Sequence, residues 1–434
     1  MERPSVNGKP APLPDSLWAA ITAPGEQFQP VNNDEECDVA IVGAGFMGLS
    51  AARVLAAAGR KTLVLEAADV GWGASGRNHG LVTAGLKRDP HEVTERLGRD
   101  RANRLLQFSG DAPARLFAFI KDNSIQCDAV NKGWIQPAHS RSQLKVIQKR
   151  QQAWDELGAD TDMLSGEQLA TALGTDYYHG GWIDRRGGSL NPLALVRALA
   201  HLAVTSGATI HCASPVTAIQ ETANAVELSV AGKTVRAGHV LVCCNAYNQL
   251  PGFSSRYAAV RTAQVATEPL DEKICERILP GGESCSDTQL LLTSFRITPD
   301  KRLLMGGASA TAGDHHSGLE AHLHRAAKIR FPWADELPWR YGWSGYLALT
   351  PDHLPQIHHR GGRTWSAIAC NGRGIAMATM TGELLAQLVT GMPAADSPVP
   401  ITHGGHYPLH QLLRPGVAIS VLVNRFRDQL AHRF

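Results

Sequence analysis

The stretch from Cys37 to Glu66 restricts the fold more than any other part of the chain. Cys37–Gly43 (CDVAIVG) reads as a buried parallel strand. It runs directly into Gly43-x-Gly45-x-x-Gly48, then an Ala-rich helical stretch (LSAARVLAAAG), then a second strand (KTLVLE) that ends in Glu66. Gly43 allows the tight strand-to-helix turn. Gly45 lets backbone approach a pyrophosphate, and Gly48 lets the helix pack closely on the strand. The free N–H groups at the helix start, with the helix dipole, favour phosphate. Glu66 lies 23 residues after Gly43, where an acid accepts hydrogen bonds from ribose hydroxyls and repels a 2′-phosphate. Glycine triplet, flanking strands, helix and terminal acid together predict a dinucleotide-binding half-domain.

The triplet alone does not choose between nicotinamide and flavin dinucleotides. The run that follows Glu66 does. Gly71–Gly80 (GWGASGRNHG) is too rich in glycine and small polar residues for a helix or strand. It suits a loop whose backbone lies against something flat or anionic. The segment resembles the "ASGRNxG" element of the D-amino-acid-oxidase-like family of FAD enzymes. Glycine oxidase, monomeric sarcosine oxidase and gamma-glutamylputrescine oxidase belong to that family, and the resemblance is closest to the last type. It implies FAD as cofactor, with Gly43, Gly45, Gly48, Glu66, Ala74, Ser75, Gly76, Arg77, Asn78, His79 and Gly80 around it.

Further segments resemble the family in order and spacing, from about Cys37 to Met392. Asp184–Pro192 (DRRGGSLNP) resembles its "D-x-x-G-x-x-x-P" element. Thr209–Ile219 (TIHCASPVTAI) resembles the strand whose backbone, here near Val216, contacts adenine. Val240–Leu250 (VLVCCNAYNQL) resembles the strand and turn that close the FAD half. Phe295–Gly307 resembles an "R-x-x-x-D-x-R-L-L-x-G-G" hairpin containing Arg296. Trp343, Gly345 and Tyr346 fall in a segment similar to "W-x-G-x-x-x-x-T-x-D-x-x-P". Asn371–Ala376 (NGRGIA) heads a helix as "GHG" does in relatives, which places Gly372, Gly374 and Ile375 at the flavin. The implied fold class is α/β (α+β overall), a Rossmann-like FAD-binding domain interleaved with an antiparallel-sheet substrate domain.

Composition agrees. A chain of 434 residues buries a large core and accommodates two domains. A formal net charge of +2 with 19% charged residues gives no sign of a nucleic-acid partner. Eight cysteines without a C-x-x-C pair, several in apolar strands, suit a reducing compartment better than a disulfide framework. Residues 1–36 are rich in Pro, Asn and Asp and lack an apolar signal core. No run reaches the roughly 18 apolar residues of a transmembrane segment. The expected location is cytoplasmic.

The segments divide as follows. Residues 1–36 are an N-terminal extension. Residues 37–90, 180–254 and 341–392 make the discontinuous FAD-binding domain, and 91–179 a helical segment linking the domains. Residues 255–340 alternate apolar and polar and make the substrate-binding sheet. Residues 393–434 are a tail ending in an amphipathic helix, read as packing on the body or on a second subunit, so an oligomer is possible.

The chemistry implied by the resemblance is oxidation of the CH–NH bond of an amine or amino acid, by hydride transfer to flavin N5, giving an imine that hydrolyses. The partners are then a small-molecule amine or amino-acid substrate and oxygen or another electron acceptor. A quinone or electron-transfer acceptor in place of oxygen, or oxidation of a hydroxy acid, is the alternative. Three residues are catalytic candidates. Arg373, at a position where relatives carry histidine, either adds charge near the flavin, binds a substrate carboxylate or points to solvent. Arg296 either forks onto a substrate carboxylate or makes a structural pair. His79 either contacts flavin or substrate, links to the flavin, or is a satisfied loop histidine. Trp343 and Tyr346 either wall the substrate cavity or pack in the core. The cysteine that links flavin in monomeric sarcosine oxidase is Gly345 here, and the oxygen-activating lysine is Leu304. Adjacent His315 and His316 face opposite ways if on a strand, and no metal is expected.

Overall fold

A computed structural model describes residues 5–6, 9–253, 257–289, 292–308, 316–334, 336–359, 362–368 and 371–403. Two sheets carry the architecture. The first is nine-stranded, in the order Thr209–His211, Thr62–Leu65, Glu35–Val42, Lys233–Val242, Thr364–Ile368, Gln356–His359 and Ile401–Thr402. The strands from Thr209–His211 through Thr364–Ile368 run parallel, and Gln356–His359 is antiparallel to Thr364–Ile368. A hairpin of Val216–Glu221 and Val226–Val230 extends from Lys233–Val242.

The predicted strand–turn–helix–strand unit is present. In Glu35–Val42 the last four residues are all buried, as a strand covered on both faces requires. Helix Phe46–Ala57 follows at once, with Gly45 as its N-cap and no side-chain cap. Its neighbours on that face of the sheet are helices Gly374–Val389 and Pro192–Thr205. The packing is tight enough that a Cβ on Gly48 would stand 2.0 Å from the Gly43 carbonyl oxygen. Gly43 itself takes φ +107°, which a side chain would oppose.

The second sheet has eight strands: Trp339–Leu349, Ala258–Thr267, Leu303–Ala308, Thr293–Ile297, Ser284–Ser286, Trp134–Pro137, Gly181–Asp184 and Thr161–Leu164. It is antiparallel except where Ser284–Ser286 meets Trp134–Pro137. The strands expected within 255–340 are here, but four others were read differently. Trp134–Pro137 and Thr161–Leu164 lie in the segment read as helical. Gly181–Asp184 and Trp339–Leu349 fall wholly or mostly in segments read as belonging to the FAD half. Trp134–Pro137 and Gly181–Asp184 have four residues each, all buried. A short run buried on both faces shows no alternation and cannot be told from a helix fragment by pattern. Conversely, His316–Arg330 is a helix inside the segment read as sheet. It supplies Leu319 and Leu323 to the second sheet's own core.

The N-terminal extension is part of the body. Ser16 caps helix Leu17–Ile21, whose Trp18 is buried. The Trp18 indole donates to the Asn78 carbonyl at 2.8 Å and meets Trp343 edge-on at 6.1 Å. No helix among the described residues is long and apolar enough to cross a membrane. The amphipathic helix expected in the tail lies outside the described residues, as does His315.

Candidate functional site

A cleft opens at the carboxyl ends of the parallel strands, where open α/β sheets bind ligands. Its floor is the turn Gly43–Met47, and Glu66 and Ala67 close one side. Gly71–Ser75 lies over it, Pro215 and Val216 stand at one end, and Cys243–Asn245 with Tyr247 stand opposite. Ala378, one turn into helix Gly374–Val389, completes the wall. Including its open mouth, the cleft holds about 1120 Å³, at or above the upper end of ordinary small-ligand sites.

The donor set fits a dinucleotide. The first amides of a helix have no partner within it. Here Phe46 N–H goes to Ser75 Oγ at 3.1 Å and Ala44 N–H to Glu66 at 2.8 Å. Leu49 N–H is the first to bond inside the helix turn, to Gly45 O. The Met47 and Gly48 amides between them, with no side-chain cap, are left for phosphate oxygens. The two Glu66 oxygens accept from the Ala44 and Ala68 amides at 2.8 and 2.9 Å. A carboxylate has about four acceptor positions, so ribose hydroxyls find acceptors still open. Burial pushes the Glu66 carboxyl up, and the Ala44 and Ala68 amides oppose that shift. Sequence reading had found Gly43, Gly45, Glu66, Ala74, Ser75 and Val216, all of which line the cleft. Gly48 lies beneath the turn as its spacer.

The loop after Ser75 is locked by its own side chains. Asn78 donates to the Ala74 and Ser75 carbonyls and accepts from Gly80 N–H at 2.9 Å. Arg77 is buried; its Nε donates to Trp72 O at 2.7 Å, and its guanidinium lies 4.4 Å over the Trp72 ring. Gly76 and Gly80 are both places where a Cβ would strike backbone, at 2.3 Å from Gly71 O and 2.2 Å from Leu190 O. Gly345, on the neighbouring strand, faces Arg77 and the Tyr247 hydroxyl.

His79 is the exception in this satisfied loop. It is 8% exposed, and neither ring nitrogen makes a well-formed hydrogen bond, the Leu304 backbone approaching the ring and only weakly opposing the effect of burial. Burial, and then the charge of Arg296, pushes it down to about 3, so it is neutral at pH 7. The ring lies against the backbone of Gly306, where a Cβ would come within 2.5 Å of Cδ2. A buried imidazole this weakly partnered is what a bound group with polar atoms at the sheet–loop junction would satisfy.

Two sequence assignments are corrected. Arg296 is 1% exposed and spends its nitrogens on the protein: Nε on His79 O at 3.3 Å, Nη1 on Ser189 Oγ at 3.2 Å, Nη2 on Leu190 O at 2.8 Å. That is a clamp between the 79–80 loop, residues 189–190 and the second sheet, not a fork held open for substrate. Trp343 is equally enclosed, with its indole donating to Arg77 O at 2.8 Å. It is a packing residue. Tyr346 is half-buried and meets Tyr247 edge-on at 5.9 Å, which puts it behind a cleft residue.

Arg373 is the N-cap of helix Gly374–Val389, between Gly372 and Gly374, with Ile375 buried behind it. Its Nη1 donates to the Ala84 carbonyl. Its guanidinium lies 5.1 Å over Trp134 of the second sheet, turned away from the dinucleotide cleft. Sequence reading missed Trp72, Tyr247 and Cys243–Asn245 as cleft residues. Tyr247 stood in a turn already singled out, but nothing in the pattern said which of its side chains point inward.

The comparisons agree with this geometry. The profile of the family described as FAD dependent oxidoreductase matches residues 38–388. The chain is 31% identical over 414 residues to a probable oxidoreductase OrdL of Haemophilus influenzae, covering 92% of this chain and 95% of that one. It is 30% identical to the gamma-glutamylputrescine oxidoreductase of Escherichia coli, covering 96% and 98%. The crystal structure of glycine oxidase from Geobacillus kaustophilus superposes with a TM-score of 0.72 at 20% identity, over 86% of this chain and all of that one, and so shares its fold.

Proposed function

The chain belongs to the family of FAD-dependent oxidoreductases, and from that premise we propose that it oxidises the CH–NH bond of an amine or amino acid. The observation that carries the reading is the pairing of a glycine-turn cleft ended by Glu66 with a second sheet that covers the junction where the buried His79 ring makes no well-formed hydrogen bond. Related proteins carry the names gamma-glutamylputrescine oxidoreductase and glycine oxidase, both amine chemistries.

Bound FAD supplies the electron acceptor that takes a hydride from the substrate carbon. The protein's residues hold and shield. The Met47 and Gly48 amides and the dipole of their helix take the pyrophosphate, and Glu66 takes ribose hydroxyls. The start of helix Gly374–Val389 presents the positive end of a second dipole, suited to stabilising negative charge as it develops. His79, held neutral, offers a lone pair or an N–H without adding charge. No side-chain nucleophile is required, because the imine product hydrolyses in water. A cytoplasmic location fits the reading.

Replacing Glu66 by alanine is expected to weaken FAD retention about tenfold to a hundredfold, since a hydrogen bond to a charged group is worth roughly 1.5–3 kcal/mol. The flavin-to-protein absorbance ratio after dialysis measures it, and an unchanged ratio would count against the cleft assignment. The substrate class is tested by anaerobic bleaching of the flavin with plain amino acids, N-methyl amino acids, gamma-glutamyl amines and polyamines. Bleaching is expected with members of this panel and not with hydroxy acids. A protein bleached only by hydroxy acids has been misread. Repeating the positive reactions in air with peroxide detection separates oxygen from another acceptor.

A further inference from the structure

Residues 11–31 precede the stretch that defines the family, which begins at residue 38. Apart from helix Leu17–Ile21 their backbone is irregular. A segment with so few bonds of its own opens as a unit once its ties to the body break. Those ties gather around the loops of the dinucleotide cleft.

Two indoles join the segment to these loops. Trp72, which lines the cleft, donates its Nε1–H to the Pro12 carbonyl at 3.0 Å. Ala11 shares a buried cluster with Trp72 and Ala68, with Leu13 and Tyr247 packed against it. Trp18 donates to the Asn78 carbonyl at 2.8 Å. Further along, the segment is pinned to helix Pro192–Thr205 and its cap. Thr22 and Asn191 exchange hydrogen bonds at 3.0 and 3.3 Å. Arg197 Nη1 donates to Ala23 O at 2.5 Å and to Thr22 O at 3.4 Å. Val31 N–H then donates to Ser214 Oγ at 2.9 Å.

The Gly71–Ser75 span is what a dinucleotide has to pass. It lies over the Gly43–Met47 turn and is tied to it at both ends. Gly71 N–H donates to Ala44 O at 3.2 Å, and Ser75 Oγ accepts from Phe46 N–H at 3.1 Å. A pyrophosphate resting on the turn is enclosed between turn and span, and it leaves when the span moves outward. Outward movement takes the Trp72 ring away from Ala11, Pro12 and Leu13.

We propose that residues 11–31 are a strap that governs passage of FAD, so that the cofactor enters and leaves only when the strap lifts from Trp72 and Asn78. The strap is independent of which substrate the flavin oxidises. Lifting it uncovers Leu17 and Trp18, which are 0% and 1% exposed, so opening is rare and exchange slow.

A gate and a brace differ in their kinetics. Residues 11–31, all of them described, contribute nothing to the lining of the cleft, so the strap closes alike over bound and free forms. Opening precedes passage in both directions, and a looser strap multiplies uptake and release by the same factor. Affinity stays where it is, because a ligand shifts an equilibrium only through differential affinity for its states. A brace that shapes the bound cleft would lose affinity when loosened, with release faster and uptake no faster.

The test uses the full-length protein. Arg197→Met removes the donor to Thr22 O and Ala23 O from a position that does not line the cleft. Release is read from the rise in free-flavin fluorescence on dilution of the holoprotein. Uptake is read from its quenching when FAD is added to protein stripped of flavin. Both rates should rise about threefold to tenfold, with the dissociation constant changed less than about twofold. Trp18→Phe keeps a ring against Trp343 and removes the N–H. It should raise both rates by a similar factor and leave the flavin absorption bands in place. Thr22→Val is a milder loosening, expected to raise both rates about twofold to fivefold, and it decides the matter if Arg197→Met does not fold. Unchanged exchange rates in these variants overturn the proposal. Faster release with unchanged or slower uptake also overturns it, since the segment is then a brace.

Discussion

Gly48→Ala is expected to yield a protein that is colourless and less stable. The added Cβ would stand 2.0 Å from the Gly43 carbonyl oxygen and 3.2 Å from Ile41 Cγ2. The first of these is backbone, so no rotamer change relieves it. Helix Phe46–Ala57 would have to lift from strand Glu35–Val42, but it is wedged against Gly374–Val389 and Pro192–Thr205. Overpacking of this kind costs about 1–3 kcal/mol or more. Lifting the helix also moves the Met47 and Gly48 amides off the phosphate position, so cofactor loss should exceed what the instability alone explains. Gly59→Ala is the matched control. Gly59 ends the same helix at φ +74° with no atom within 4 Å of an added Cβ. It should cost about 1–2 kcal/mol in backbone strain and leave the flavin in place. Flavin absorbance and urea unfolding separate the two, and normal flavin occupancy in Gly48→Ala would remove the turn from the binding site.

Arg296→Met should destabilise the protein by about 3–5 kcal/mol. The substitution leaves the Leu190 and His79 carbonyls without their donor, and each buried acceptor left unpaired costs roughly 1–3 kcal/mol. It also removes the guanidinium that lies 5.3 Å over Trp18, through which the N-terminal helix is held. The loop carrying His79 would be unlatched from strand Thr293–Ile297. With one of the two influences holding it down gone, His79 should titrate at higher pH than in the unaltered protein. Urea unfolding of the FAD-loaded protein measures the loss. An intact stability with a raised KM for carboxylate substrates would return Arg296 to the substrate role that sequence reading left open.

Much of the site was legible because its parts are contiguous. Gly43, Gly48 and Glu66 sit within one strand–turn–helix–strand unit, and glycine requirements at a strand-to-helix turn depend on little outside it. Arg296 stayed open between substrate contact and structural pair because a buried guanidinium and an open one look alike in sequence. Only the arrival of Ser189 and Leu190 from elsewhere in the chain shows that its donors are taken.

The amino-acid order by itself determined the dinucleotide turn, the acid that ends it and the family of the fold, since those rest on local backbone geometry and on burial of the strands it joins. The tertiary structure alone decided which backbone carbonyls a buried guanidinium bonds and which loop a clamp closes. Arg373 meets Ala84 across 289 positions of chain. Electrostatic partnership falls off with distance in space, and no spacing along the chain encodes that distance until the two sheets have come together.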